Sequence, residues 1–192
     1  MKYFTVHSVC EDLFKLELND YILTFDDGLF SQYFYWEYIH RIAPNSILFI
    51  PTRAIMLSNF IRPRYYGEFI KFRDCFQAMR RWKQCNLHDD YMTLGEIKFL
   101  IENYNVRIGG HGHRHLEPML YKDSLVDSIK IMKEDIDQMF NWFKIHLSIT
   151  PTEFCFPFNK EDSYLKRILE DKGITQFYGK ERTEIETLCL NQ

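Results

Sequence analysis

The sequence predicts an α/β fold organised around a parallel sheet. Short runs rich in branched and aromatic residues alternate along the chain with helical patterns, which is how strand, crossover and strand read in a parallel sheet. Two of those runs stop abruptly at glycine and ionisable residues, as strands do where they deliver side chains to a site. The chain has 192 residues and is 46% hydrophobic, enough for one well-buried core but not for two. A single domain over residues 1–192 is therefore expected.

Strand-like runs fall at 3–9, 21–25, 46–50, 106–108, 153–156 and 174–178. Between the third and fourth, Thr93-Leu94-Gly95-Glu96 is a capping box. It opens a helix whose apolar residues Leu94, Ile97, Leu100, Ile101 and Tyr104 recur at helical spacing. A longer helix over about 121–143 carries Leu125, Ile129, Met132, Ile136, Phe140 and Phe143 as a core stripe. Asp162 or Ser163 can cap a further helix, in which Leu165, Ile168 and Leu169 face inward before Gly173 ends it. Residues 61–90 fit the alternation least well and read as an insertion or rim segment. Arg62, Arg64, Arg80 and Arg81 are interleaved there with aromatics, a composition that can grip a sugar or an anion but more often makes a solvated helix face.

The chemistry concentrates in two stretches. Ile22-Leu23-Thr24-Phe25-Asp26-Asp27-Gly28 is an apolar strand running into adjacent carboxylates, which repel each other and are costly to bury without a cation, a proton or hydrogen bonds. Val106-Arg107-Ile108-Gly109-Gly110-His111-Gly112-His113-Arg114-His115 is a second strand, running through glycines into three histidines. One carboxylate oxygen and two imidazole nitrogens make a three-ligand set on a borderline divalent metal with coordination positions left open, the arrangement of catalytic zinc. Each stretch has a bland alternative: Asp-Asp-Gly alone is usually a turn, and a lone H-x-x-x-H usually two residues on one helix face. Their joint occurrence after apolar strands favours a metal site. His7, His40, His88 and His146 have no motif context and read as surface or satisfied core histidines.

Thr24-Phe25-Asp26-Asp27-Gly28 followed by His111-Gly112-His113-Arg114-His115 resembles the first two motifs of the polysaccharide deacetylases, carbohydrate esterase family 4, with their NodB-like deacetylase domain. Phe154-Cys155-Phe156-Pro157-Phe158-Asn159 is similar to the third. The resemblance implies a distorted (β/α) barrel of about seven strands with its site at the carboxyl ends. It implies that Asp27, His111 and His115 bind the metal, that Asp26 is the general base, and that the backbone N–H of Phe158, aimed by Pro157, stabilises the oxyanion. His113 is then expected to support the ligands or face substrate, with Arg62 and Arg64 as substrate-side residues of the rim. The sequence departs from the family pattern at three points: Gly112 replaces the usual Ser or Thr, Cys155 stands where many members carry an arginine, and no histidine follows Asn159 to protonate the leaving amine.

The expected activity is metal-dependent hydrolysis of an N-acetyl or related acyl group from an amino sugar or polysaccharide. The metal is zinc in first place, with cobalt, nickel or iron as alternatives. The alternative functions are a degenerate sugar-binding member of the same fold and hydrolysis of a non-sugar carbon–nitrogen bond. A net charge of −3 gives no global field for nucleic acid, so an anionic sugar would be met by a local patch. No stretch approaches the roughly 18 apolar residues of a membrane span, and the N-terminus lacks a signal-peptide pattern, so a cytoplasmic protein is expected. Five cysteines at scattered spacings suggest buried free thiols rather than disulfides.

Overall fold

A computed structural model describes residues 2–18, 21–64, 72–117 and 124–184. Strands β1 (Lys2–Val6), β2 (Tyr21–Phe25), β3 (Ile47–Ile50), β4 (Arg107–Gly110), β5 (Glu153–Cys155), β6 (Gln176–Tyr178) and β7 (Thr183–Glu184) form one sheet in the order β6-β5-β4-β3-β2-β1-β7. Every pairing is parallel. The sheet curls into a distorted (β/α) barrel with β6 and β7 as its two edge strands. Tyr3 of β1 and Tyr178 of β6 meet edge to face, 5.2 Å between centroids, so the two ends of the strand order curl toward each other.

Helices α1 (Phe30–Phe34), α2 (Trp36–Ile42), α3 (Cys75–Cys85), α4 (Leu94–Tyr104), α5 (Leu125–Leu147) and α6 (Ser163–Asp171) complete the described elements, with short 3-10 turns at Glu11–Lys15 and Pro157–Asn159. The strand alternation sorts side chains into two cores. Leu23, Phe25, Leu48 and Ile50 pack outward among the helices, whereas Ile47, Phe49, Cys155 and Tyr178 fill the bore. A Cβ on Gly109 would lie 2.4 Å from the Phe49 ring, so β4 needs glycine there to make room for the aromatic filling.

Most sequence-predicted elements are present, with ends shifted. β1 stops at Val6 rather than running to residue 9, and β4 extends through both glycines to Gly110. The capping box forms as read, with Thr93 and Glu96 bonding reciprocally. Asp162, not Ser163, caps α6 by accepting from the Leu165 N–H. The long helix begins at Leu125, its expected start at 121–123 lying outside the described residues. Leu125 is 56% exposed because it sits on the first turn beyond the core; Met139 and Trp142 are buried in the stripe instead. Cys75, Cys85 and Cys155 are free thiols as expected, but Cys10 is disulfide-bonded, a pairing that sequence spacing does not encode. No helix among the described residues is long and apolar enough to cross a membrane.

Candidate metal centre and active site

The period of two along each strand decides what enters the mouth of the bore. On β2 and just beyond it, Ile22, Thr24 and Asp26 share the inward face; on β4 and just beyond it, Arg107, Gly109 and His111 do. Alternation alone would turn Asp27 away. A left-handed backbone at Asp27 (φ 75°) and Gly28 (φ 65°) breaks the pleat and brings the second carboxylate back to the site. His115 (φ 52°), Gly112 (φ 77°), Phe158 (φ 59°) and Asn159 (φ 54°) are likewise left-handed, so the loops after β2, β4 and β5 each hold a non-glycine residue in the backbone region that often marks functional positions.

Asp27 Oδ1 lies 3.3 Å from His115 Nε2 and 3.6 Å from His111 Nε2, and the two imidazole nitrogens are 3.2 Å apart. A tetrahedral ion with bonds of about 2.1 Å has ligand-to-ligand edges of about 3.4 Å, so the three atoms already stand at the spacing a zinc-like ion requires. His111 Nδ1 lies 2.8 Å from the Cys155 carbonyl oxygen and donates to it, which leaves Nε2 as the lone-pair nitrogen facing the triad. The donor set therefore fits a divalent metal. All three residues are nearly inaccessible. Burial pushes the Asp27 carboxyl up, against the pull of His7 and His111, and drives His115 well below the usual imidazole value.

Asp26 is held quite differently. Burial alone would raise its carboxyl, but the Arg182 guanidinium grips both oxygens at 2.8 Å and keeps it well below the usual carboxylate range. Arg182 is itself buried in the turn between β6 and β7, where it also donates to Thr24 Oγ1, Cys155 Sγ and Asn159 Oδ1. The arginine missing at Cys155 is thus supplied from a different strand end. The short thiol leaves the space that the guanidinium occupies.

His7, at the end of β1, places Nε2 3.9 Å from Asp26 Oδ2 with its side chain 34% exposed. It comes from a neighbouring strand end, as the parallel register of β1 and β2 requires. The sequence contained that signal: a strand-like run ending in histidine, just as the next strand ends in aspartate. Motifs alone do not reveal it, because a single histidine carries no spacing.

The ligand loop is fixed from below by Asp135 of α5, whose carboxylate accepts from the backbone N–H groups of His113 and Arg114 and from the Arg114 guanidinium. A Cβ on Gly112 would lie 3.0 Å from Asp135 Oδ2, so glycine and aspartate replace the hydroxyl usual in the family pattern. His113 turns its ring toward Thr52, with Nδ1 2.8 Å from Oγ1, and braces the loop rather than facing the mouth. Pro157 is buried, and the Phe158 ring is 42% exposed, 4.7 Å from the His115 ring.

The arginines of 61–90 do not gather at the site. Arg62 binds Glu96 and the carbonyls of Asp89 and Tyr91 and stacks 3.7 Å from the Phe30 ring centroid, so its donors are consumed by the protein itself. Arg64 lies against the rings of Tyr33 and Phe99. Arg73 and Arg81 pair with Asp89 and Asp90. Arg62 is thus held by its bonds to the scaffold and Arg64 by packing against aromatic rings. Residues 65–71 of this segment lie outside the described residues. Among the described residues, the segment brings Lys83 of α3 to the site, with its Nζ donating to the His115 carbonyl oxygen at 2.9 Å.

No protein-family model and no curated protein matches the sequence. Solved structures do match. IcaB from Ammonifex degensii is 14% identical, with a TM-score of 0.64 over 96% of this chain and 84% of that one. A de-N-acetylase from Aggregatibacter actinomycetemcomitans is 12% identical, with a TM-score of 0.61 over 85% of this chain and 68% of its own. A pseudoenzyme of carbohydrate esterase family 4 from Bacillus anthracis is 12% identical, with a TM-score of 0.51 over 82% of this chain and 42% of its own. Barrel, strand order and strand-end site together give this chain the NodB-like polysaccharide-deacetylase fold.

Proposed function

We propose that this protein is a metal-dependent hydrolase that removes an N-acetyl or related acyl group from an amino sugar, releasing a carboxylic acid and a free amine. The observation that carries this reading is the meeting, at one mouth, of the Asp27, His111 and His115 ligand set with a carboxylate kept ionised by Arg182. Those three residues would hold the metal, with zinc favoured by two imidazoles and one carboxylate over cobalt, nickel or iron. When bound, the ion supplies Lewis acidity, polarising the amide carbonyl and bringing the pKa of water toward about 7.

The remaining work falls to the chain's own side chains. Asp26 accepts the proton of the attacking water; Arg182 makes it a weak base but fixes its orientation and keeps it charged. His7, half-exposed beside Asp26, gives a proton to the departing nitrogen, the role that no histidine after Asn159 could take. The backbone N–H of Phe158, placed by Pro157 and a left-handed turn, stabilises the developing oxyanion. The sugar substrate class is supported by the deacetylases that share the fold.

The test is acetate release from N-acetylated oligosaccharides by the metal-loaded protein, alongside elemental analysis. Asp26→Asn should keep about one equivalent of metal and lose at least about 10²–10⁴ in turnover, whereas His115→Ala should lose the metal. A fully active Asp26→Asn protein would remove Asp26 from the chemistry, and undiminished metal in His115→Ala would defeat the ligand set.

A further inference from the structure

We infer that Lys83 and the ring of Phe158 form a subsite for an oxyanion carried by the sugar, a phosphate ester or a carboxylate, at the rim of the metal site. The inference rests on the amino-sugar reading above for the sugar, and on the rim's own geometry for the anion.

Among the described residues of 61–90, several cations are spent on the protein itself. Arg62, Arg73 and Arg81 each have carboxylate partners, which cancel their charge. Lys83 has no carboxylate within ion-pair distance among the described residues; its Nζ donates to the His115 carbonyl and stands 5.8 Å from the Phe158 ring centroid. An ammonium has three N–H donors, so this contact leaves others directed outward. Lys83 is exposed, and so is the Phe158 ring, although the histidine between them is buried. A solvent-facing cation and a solvent-facing aromatic ring therefore flank the point where the ligand set opens.

The charge balance of the mouth gives this pair its meaning. Arg182 already neutralises Asp26, and Asp27 belongs to the candidate ligand set, so Lys83 adds positive charge at the mouth with no carboxylate paired to it. A neutral sugar can only accept an ordinary hydrogen bond from the ammonium, whereas an anionic group gains a stronger charge-assisted one and a longer-range attraction. Phe158 supplies an apolar surface for the sugar ring while Lys83 takes the oxyanion. The simpler account, in which Lys83 only ties α3 to the ligand loop, makes no distinction between charged and neutral sugars.

Glucose 6-phosphate, glucuronate and glucose carry no amide and so report the subsite independently of turnover. Titrated by NMR into the metal-loaded wild-type protein, one or both anionic sugars should bind about tenfold more tightly than glucose, the size of one charge-assisted hydrogen bond. The phosphate and carboxylate arms show which oxyanion the subsite takes. Lys83→Met should abolish the preference and Lys83→Arg should keep it. Equal binding of all three sugars by the wild type, or a preference that survives Lys83→Met, would overturn the subsite. Absence of acetate release with the anion preference intact would instead sink the catalytic proposal alone.

Discussion

The imidazole of His7 reaches Asp26 from a neighbouring strand, and its partial exposure lets it exchange protons with solvent while Asp26 stays enclosed. If it protonates the leaving nitrogen, its removal should matter in proportion to how poor the leaving group is. His7→Gln should lower turnover of an N-acetyl sugar by about 10²–10⁴, yet spare hydrolysis of a nitrophenyl acetate, whose leaving group needs no proton. Metal content should be unchanged. An equal loss on both substrates would assign His7 to positioning Asp26 instead. Cys155 shows a complementary exchange at the level of single side chains: a small thiol on β5, 3.0 Å from the Arg182 guanidinium, leaves room for an arginine that arrives from the turn between β6 and β7.

Helix α5 does more than cover the sheet. Its buried Asp135 gathers three donors of the ligand loop, two of them backbone N–H groups, and so sets where His111 and His115 point. Asp135→Asn substitutes an amide for one acceptor oxygen and should weaken metal binding about 10–100-fold, as loss of an outer-sphere partner does. Chelator competition would measure it; unchanged affinity would show that β4 alone positions the loop. The strands, the Thr93 cap and the ligand motifs were legible in the sequence because each is written in local spacing. His7, Asp135, Arg182 and Lys83 were not. Each acts through a partner at least 19 positions away, and no periodicity records that pairing. The arginines beside and on α3 follow the more common of the two readings of their composition, since Arg73 and Arg81 are neutralised by Asp89 and Asp90 in the loop beyond the helix.

The barrel is completed by side chains where its backbone pairing stops. Arg182 stands in the turn between the two edge strands and ties β2, β5 and the Pro157–Asn159 turn together. Removing it strands a buried carboxylate, so Arg182→Met should destabilise the metal-free protein by about 3–5 kcal/mol. The double variant with Asp26→Asn should recover part of that loss, and urea titrations around the cycle would measure the coupling. Because the folded carboxyl of Asp26 is depressed, the pair's contribution is present above the unfolded value of about 4 and declines as pH falls toward the folded one. Additive effects in the cycle would show that the two residues act separately. The contact also imposes an order on biosynthesis. Asp26 and Arg182 are 156 residues apart, and at about 5–20 residues per second a ribosome takes about 8–30 s to span them. Through that interval Asp26 lacks the guanidinium that offsets its burial, so this part of the site is completed only after β6 has emerged.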